Sequence, residues 1–135
     1  MNICVLRISG VKFAVDDFVA TSNLTSDPDV FSVWHLGEKR RKGICEDSGF
    51  VLDICKVESE GLIEQTEKAI SFLRDHYDGI KRLMATHGVE NGTLDFAIAK
   101  RDVAAQCDRF PAELIRLAGS LGLEIELSQY AIAER

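Results

Sequence analysis

The spacing of apolar residues is clearest in the C-terminal part of the chain, where it predicts a helix, a glycine turn and a strand. One face of the predicted helix is formed by apolar residues three and four positions apart: Leu114, Leu117, Ala118 and Leu121. Pro111 suits the first helical position, because the N–H that proline lacks has no partner there. Gly122 suits the left-handed turn that ends many helices, and residues 123–127 alternate as a half-buried strand does.

The longest predicted element is a helix over residues 59–84. Its apolar stripe steps by threes and fours through Leu62, Thr66, Ala69, Leu73, Tyr77, Ile80 and Met84. Ser59 is placed to cap the N-terminus of this helix. Gly79 predicts a bend or a division of the helix, because glycine weakens a helix interior.

Shorter periodic segments predict the remaining elements. Strands are predicted at residues 3–9, 30–36, 50–57 and 93–99, and a short helix at residues 16–20. Strict alternation along the third strand places Ile54 on its inner face and Cys55 on its outer face. Residues 37–49 are predicted to be a polar connection.

The order of these elements predicts an α+β fold: a two-layer sandwich with a mostly antiparallel sheet and helices on one face. A ferredoxin-like core extended by one helix and one strand is the most economical arrangement, in a single domain of 135 residues. The predicted inner face of the sheet carries Leu6, Leu52, Leu94, Phe96, Ile125 and Leu127. The predicted outer face carries one arginine among four acids: Arg7, Asp53, Asp95, Glu124 and Glu126.

The net charge of −6 at pH 7 narrows the range of partners. A negative protein is repelled by phosphates and anionic membranes, so general nucleic-acid or membrane binding is disfavoured. No apolar run approaches the length of about 18 residues that predicts a membrane-spanning helix. Arg7 interrupts the N-terminal apolar stretch and no small-residue cleavage pattern follows it. We therefore expect a cytoplasmic protein with no membrane contact.

The chain has four cysteines and no CxxC pair: Cys4, Cys45, Cys55 and Cys107. Without a secretory signal, this pattern favours reduced thiols over a disulfide framework. Cys4 and Cys55 lie in predicted strands, where they are expected to pack as small apolar residues. Cys45 and Cys55 are candidate neighbours across a long hairpin.

The sequence predicts no cofactor and no metal site. It contains neither a GxGxxG nor a GxxxxGK[ST] phosphate loop. His76 and His87 share one face of the predicted helix, but eleven residues of helix rise about 16.5 Å. One zinc ion, which needs ligands at about 2 Å, cannot bridge that distance.

The sharpest charge feature is a run of four cations between Gly37 and Gly43: Lys39, Arg40, Arg41 and Lys42. Such a run can bind phosphates or an acidic partner, and Trp34 could add a stacking surface for single-stranded nucleic acid. The alternative is a solvated hairpin tip that keeps sheet edges from pairing. Trp34, between apolar neighbours, is more often part of a core than of a contact.

The acids of the predicted outer face also have two interpretations. Paired carboxylates can perform general acid–base catalysis, yet polar residues on a solvated antiparallel sheet follow the same alternation. Arg7 would pair with these acids across strands. The sequence contains no GxSxG elbow, so no catalytic residue is predicted.

Several short segments resemble those of a bacterial family of small domains whose function is unassigned. These segments are Leu-Arg-Ile-Ser-Gly at residues 6–10, Trp34 followed by Gly37, Gly49-Phe50, and residues 114–130. The family has a basic residue and a glycine soon after the tryptophan, whereas this chain has His35-Leu36-Gly37 and begins its basic run at Lys39. The resemblance implies the α+β fold and a bacterial origin, and it implies no activity.

We expect a non-catalytic module that binds another protein, because the chain is acidic and lacks a catalytic motif. An immunity or antitoxin-like protein that captures a basic toxin is one form of this hypothesis, since small acidic domains suit electrostatically steered capture. A homodimer is another form. The alternative is a small-ligand or nucleic-acid binding domain that uses Trp34 and residues 39–42. An enzyme that uses the outer-face carboxylates is a third hypothesis.

Overall fold

The computed structural model describes residues 2–24, 30–57 and 61–131. The strands in these ranges are β1 (Asn2–Gly10), β2 (Phe31–Trp34), β3 (Lys39–Arg40), β4 (Gly43–Ile44), β5 (Ser48–Val57), β6 (Asn91–Ala99) and β7 (Glu124–Tyr130). The helices are α1 (Val15–Thr21), α2 (Ile63–Asp75), α3 (Tyr77–Met84) and α4 (Ala112–Ser120). The predicted cap Ser59 lies outside the described residues.

Five strands form one mixed sheet in the order β2-β5-β1-β6-β7, and β3 pairs with β4 separately. Each pair of neighbours within β2-β5-β1-β6 is antiparallel, whereas β7 runs parallel to β6. The order β2-β5-β1-β6 is that of a ferredoxin-like core, in which the β1-α1-β2 unit is split by a strand inserted between its two strands. Helix α4 and strand β7 extend this core at the β6 edge, as predicted.

The core lies between one face of the sheet and the helices. Leu6, Leu52, Leu94 and Phe96 point into it and are almost completely buried, with exposures of 0–1%. Ile125 and Leu127 of β7 pack at its margin. This arrangement confirms the predicted inner face, because alternate residues of each strand reach the same layer.

Aromatic rings place two of the helices on the inner face of the sheet. Phe18 of α1 stacks on Phe50 with ring centroids 5.3 Å apart, and Phe31 meets Phe50 edge-on at 5.1 Å. Phe110, just before α4, lies 5.3 Å from Phe96. Ring pairs at these distances contribute packing energy beyond burial alone.

The helix predicted over residues 59–84 is divided, but at His76 rather than at Gly79. His76 has φ −116° and ψ 20°, outside the helical region, and separates α2 from α3. Gly79 lies inside α3, where a Cβ atom would be 3.5 Å from Leu24. This is an ordinary van der Waals distance, so the space around residue 79 does not itself require glycine. After the division, Ile80 and Leu83 of α3 are buried in the core.

Helix α4 ends in the glycine turn that the sequence predicts. Gly122 has φ +77°, and the N–H of Leu123 donates to the carbonyl of Ala118 at 2.8 Å. The N–H of Gly122 donates to Gly119, which completes a Schellman motif. At the other end, Pro111 has an extended backbone and precedes the helix by one residue, so its predicted place inside the first turn is wrong.

A β-bulge changes which residues of β5 face the core. Val5 pairs with Asp53, whereas the preceding residue Cys4 pairs with Cys55, so Ile54 is an extra residue. Beyond the bulge, Cys55 therefore lies on the same side as Cys4, so its predicted place on the outer face is wrong, whereas Ile54 packs against the core as predicted. The alternation of residues along one strand cannot reveal a bulge, because a bulge is a shift in register relative to a partner strand that is distant in sequence.

The described structure leaves all four cysteines as free thiols. Burial raises the pKa of the Cys4 thiol far above its usual value, and neighbouring Cys55 and Asp95 add to this effect. Burial also raises the pKa of Cys55. The raised pKa values favour the protonated thiol, which is the less reactive form. Cys45 precedes β5 and Cys55 lies near its other end, so their predicted proximity is wrong.

The end of β1 makes backbone contact with the turn before β6. The N–H of Glu90 donates to the carbonyl of Ser9 at 2.9 Å. A Cβ atom on Gly10 would overlap the carbonyl oxygen of Gly88 and lie 3.1 Å from the nitrogen of Glu90. Only glycine fits at this position, because neither obstacle is a movable side chain.

We predict that Gly10→Ala lowers the free energy of unfolding by about 2–3 kcal/mol, since the backbone must shift to admit a methyl group. Gly119→Ala is the matched control, because its Cβ atom would meet nothing within 4 Å inside α4. Alanine at that helical position should be neutral or stabilising. Urea unfolding followed by circular dichroism measures both variants. Equal stability of the two variants would contradict the proposed close contact.

Candidate functional site

The face of the five-stranded sheet opposite the helices is called the open face here. Strand register places its side chains in rows, and none of the described helices covers them. One row runs Ser32, Val51, Arg7, Thr93 and Glu124 across the sheet, and the next runs Asp53, Val5, Asp95 and Glu126. The structure thus places Arg7 and the four predicted acids on one surface.

An ion-pair network occupies the centre of the open face. Arg7 contacts Asp95 at 3.0 Å and Glu126 at 3.5 Å through its two terminal nitrogens. The hydroxyl of Ser128 donates to the second oxygen of Asp95 at 2.7 Å. Asp95 is 8% exposed, so three neighbouring strands are linked by charge-assisted hydrogen bonds in a partly desolvated setting.

The other two predicted acids do not join this network. Asp53 and Glu124 are exposed and form no ion pair within the described ranges. Asp95 and Glu126 are neighbours in register, yet both pair with the same arginine on an open surface rather than in a closed pocket. The arrangement therefore supplies a fixed polar surface and lacks the enclosure that acid–base catalysis uses.

Trp34 lies at one end of the open face. Its indole N–H donates to Asp47 at 2.8 Å, and the side chain is half-buried. The ring lies over Gly49, whose Cβ atom would be 2.5 Å from Trp34 and 2.8 Å from Ser9. The interpretation of Trp34 as a core residue is therefore wrong, since the ring covers the sheet surface from outside.

The four cations belong to a hairpin, which we call the basic arm and define as residues 37–45. Its strands β3 and β4 pair Lys39 with Ile44 and Arg40 with Gly43. Two more backbone bonds, both 2.8 Å long, join Cys45 to the other side of the arm. The predicted polar connection between β2 and β5 is thus an ordered hairpin. Its two strands were not predicted, because a two-residue strand is too short to show a periodic pattern.

A chain of charged contacts attaches the basic arm to the rest of the protein. His35 Nε2 lies 2.9 Å from both carboxylate oxygens of Asp16 in α1, and His35 Nδ1 lies 3.4 Å from Glu38. Glu38 also pairs with Arg40, whose guanidinium donates to the carbonyl of Val33 at 2.9 Å. Sequence analysis missed this chain, because it joins residues that are distant in sequence.

These contacts shift two pKa values. Hydrogen bonds to Asp16 and then Glu38 raise the pKa of His35. The hydrogen bond from Arg40, followed by that from His35, lowers the pKa of Glu38. Both nitrogens of His35 face carboxylates, which favours the doubly protonated form of the imidazole. The hydroxyl of Ser48 accepts the N–H of Leu36 at 2.9 Å.

The cations of the basic arm differ in availability. Arg40 is committed to Glu38 and Val33, whereas Lys39, Arg41 and Lys42 are exposed and form no ion pair in the described structure. Trp34 and these cations lie at the same end of the sheet. The two large depressions of the described structure, of about 700 and 650 Å³, lie beside α2. Neither Trp34 nor these cations line them.

No protein-family model, no curated protein and no solved structure matches this chain. The resemblance to a bacterial family of unassigned function therefore stays a prediction. Among the described helices, none combines the length and apolar composition needed to cross a bilayer.

We predict that Asp95→Ala lowers the free energy of unfolding by about 1–2 kcal/mol, because Arg7 loses the closer of its two carboxylate partners and Ser128 loses its acceptor. Solvent around Arg7 limits the effect. Asp53→Ala, the matched control on the same face, should change stability by less than about 0.5 kcal/mol. Chemical unfolding of both variants measures the difference. A loss at Asp53 equal to that at Asp95 would contradict a specific network.

We predict that Asp16→Asn lowers the pKa of His35, because it removes the strongest contact that favours the imidazolium. The control Asp17→Asn changes an exposed neighbour and should leave that pKa unchanged. Because the folded pKa is raised, the attachment of the arm is complete below about pH 6.5 and weakens as pH rises through the raised value. Histidine NMR titration and amide exchange in the arm measure both effects. An unchanged His35 titration in Asp16→Asn would refute the contact.

Proposed function

We propose that this protein is a non-catalytic interaction module that binds another polypeptide chain through the open face. The observation that carries the proposal is an uncovered sheet surface with half-buried apolar residues beside a fixed ion-pair network. Ile3, Val5 and Val51 lie on this surface among Arg7 and Asp95. Protein interfaces combine apolar area with paired polar groups in this way.

The shape of the open face favours a macromolecular partner over a small ligand. Small-molecule sites are concave and enclose most of their ligand, whereas this surface is the open face of a sheet. The exposed acids Asp53 and Glu124 and the net charge of −6 disfavour a phosphate backbone along the face. They favour a partner with basic groups. One such partner is a basic toxin, which this protein would capture as an immunity or antitoxin-like protein.

A second candidate function is supported by the basic arm alone. Lys39, Arg41 and Lys42 form no ion pair within the described residues, and their hairpin follows the strand that ends at the half-exposed Trp34. Cations beside an aromatic ring can bind single-stranded nucleic acid. Binding of this kind would depend on the arm and not on the apolar residues of the open face.

We predict that Val5→Lys weakens partner capture about tenfold or more, because it places a charge in the apolar centre of the proposed interface. Val5 is half-exposed between Asp53 and Asp95, so the new ammonium group can be tolerated by the fold. The measurement is a pull-down with tagged protein from native bacterial lysate, quantified by mass spectrometry and by nucleic-acid staining.

Ile115→Lys is the matched control, because Ile115 is 53% exposed on α4, which lies on the other side of the sheet. Circular dichroism and thermal unfolding verify that both variants are folded. A protein retained by the wild type and the control, and lost with Val5→Lys, supports the proposal. Equal retention by all three baits contradicts it. Nucleic acid retained regardless of Val5 would favour the second candidate.

A further inference from the structure

Two of the four cysteines face each other across neighbouring strands of the sheet. Cys4 of β1 and Cys55 of β5 are direct partners in the antiparallel register. Such partners have Cα atoms about 4.5 to 5.5 Å apart, and a disulfide needs a Cα separation of about 4.4 to 6.8 Å. The two backbones therefore already lie at a distance that a disulfide can bridge.

The β-bulge brings the two side chains to the same side of the sheet. Without the extra residue Ile54, strict alternation would place Cys55 on the open face, whereas Cys4 points into the core. With the bulge, Cys55 packs against the core cluster that contains Cys4. The Cys55 thiol also makes a hydrogen bond with the backbone of Cys4. β-bulges commonly redirect a side chain in this way, and here the result is a pair of adjacent thiols.

The two thiols differ in their access to solvent. Cys4 has no exposed surface, whereas Cys55 is half-buried. Cys55 also lines the depression of about 650 Å³ between β5 and α2, together with Lys56, Lys68 and Phe72. A small solute can therefore reach the sulfur atom of Cys55 and not that of Cys4.

We propose that Cys4 and Cys55 are a redox-active dithiol, which a hydroperoxide oxidises to a disulfide that joins β1 to β5. The Cys55 sulfur attacks the O–O bond and becomes a sulfenic acid, and hydrogen peroxide is thereby reduced to one molecule of water. The Cys4 sulfur then attacks the Cys55 sulfur, so that the S–S bond forms and the S–O bond breaks. The departing hydroxide takes the proton of Cys4 and leaves as a second water. The dithiol loses two electrons and two protons, which the peroxide accepts.

The surroundings of the pair make this disulfide slow to form and slow to be reduced. Burial raises the pKa of both thiols, although at Cys55 the contact with the backbone of Cys4 and the charge of Lys68 oppose the rise. Because the thiolate is the reacting form, oxidation should take minutes to hours rather than seconds. A thiol of high pKa is also a poor leaving group, so reductants act slowly on the disulfide. The pair therefore suits a lasting response to sustained oxidant.

The disulfide stabilises the fold and leaves the open face unchanged. It closes a loop of about 50 residues between Cys4 and Cys55, which removes conformations from the unfolded chain. Both sulfur atoms lie on the helix side of the sheet. The inference is thus independent of the proposed binding at the open face.

The test is oxidation of the reduced protein with excess hydrogen peroxide, followed by alkylation in denaturant and mass spectrometry. Exposed Cys107 shows that the oxidant is active. We expect digestion to yield a peptide in which Cys4 is joined to Cys55, and we expect a strong reductant to restore both thiols. Thermal unfolding is measured in Cys45→Ser/Cys107→Ser protein, which retains only the pair. The oxidised form should have a Tm raised by about 5 °C or more.

Two variants test the order of the two steps. In Cys4→Ala, the sulfenic acid of Cys55 has no thiol to attack it, so the sulfenic-acid reagent dimedone should label Cys55. In Cys55→Ser, Cys4 should stay reduced, because it has no exposed surface. Circular dichroism verifies that each variant is folded, and the wild-type peptide map decides the proposal whichever variant folds.

Three results would overturn the proposal. One is oxidation of Cys107 while Cys4 and Cys55 both remain open to alkylation. Another is a disulfide confined to Cys107 of two molecules, and the third is conversion of Cys55 to a sulfinic acid beside a reduced Cys4. A Cys4–Cys55 bond that lowers Tm overturns the inference that the native register already suits the bond. Oxidation of Cys4 in Cys55→Ser overturns the assigned order of the steps.

Discussion

The pairing of β1 with β5 on one side and β6 on the other is the constraint on which the structure depends. Cys4, Leu6 and Ile8 have no exposed surface, whereas Arg7, between two of them, lies on the open face. A slip of one residue in register would bury Arg7 and expose Leu6, since alternate residues face opposite sides. The cost of burying an unpaired guanidinium makes the register of this strand unambiguous.

The same constraint explains where the backbone departs from regularity. At Gly10, the backbone of the turn before β6 lies too close for a side chain. At Gly49, the backbone of β1 and the ring of Trp34 leave no room for one. The bulge at Ile54 returns Cys55 to the side of Cys4 and allows β5 to continue along β1. Each irregularity thus keeps β1 covered on its inner face and paired on both edges.

The open face is formed by the side chains that this arrangement leaves outside the core. Once all the described helices pack on the inner face, the side chains that alternate with the core residues form a separate surface with its own chemistry. The network of Arg7, Asp95, Glu126 and Ser128 fixes side chains there without enclosing a cavity. Side chains held in place on a flat surface support the proposed recognition of another chain, because little conformational freedom is lost on binding.

Local patterns in the sequence determined the existence of the main helices and strands, the two faces of the sheet and the ferredoxin-like order of elements. Leu114 to Leu121 and the alternation around Arg7 are local signals, because helix and strand periods act on neighbouring residues. They also placed Arg7 and Asp95 on one face and predicted cross-strand charge pairing there, although not which of the four acids Arg7 contacts. Tertiary structure alone decided the bulge at Ile54, the position of Trp34 and the attachment of the basic arm through Asp16. Each of these depends on a partner that is distant in sequence, and the period of a single segment carries no information about that partner.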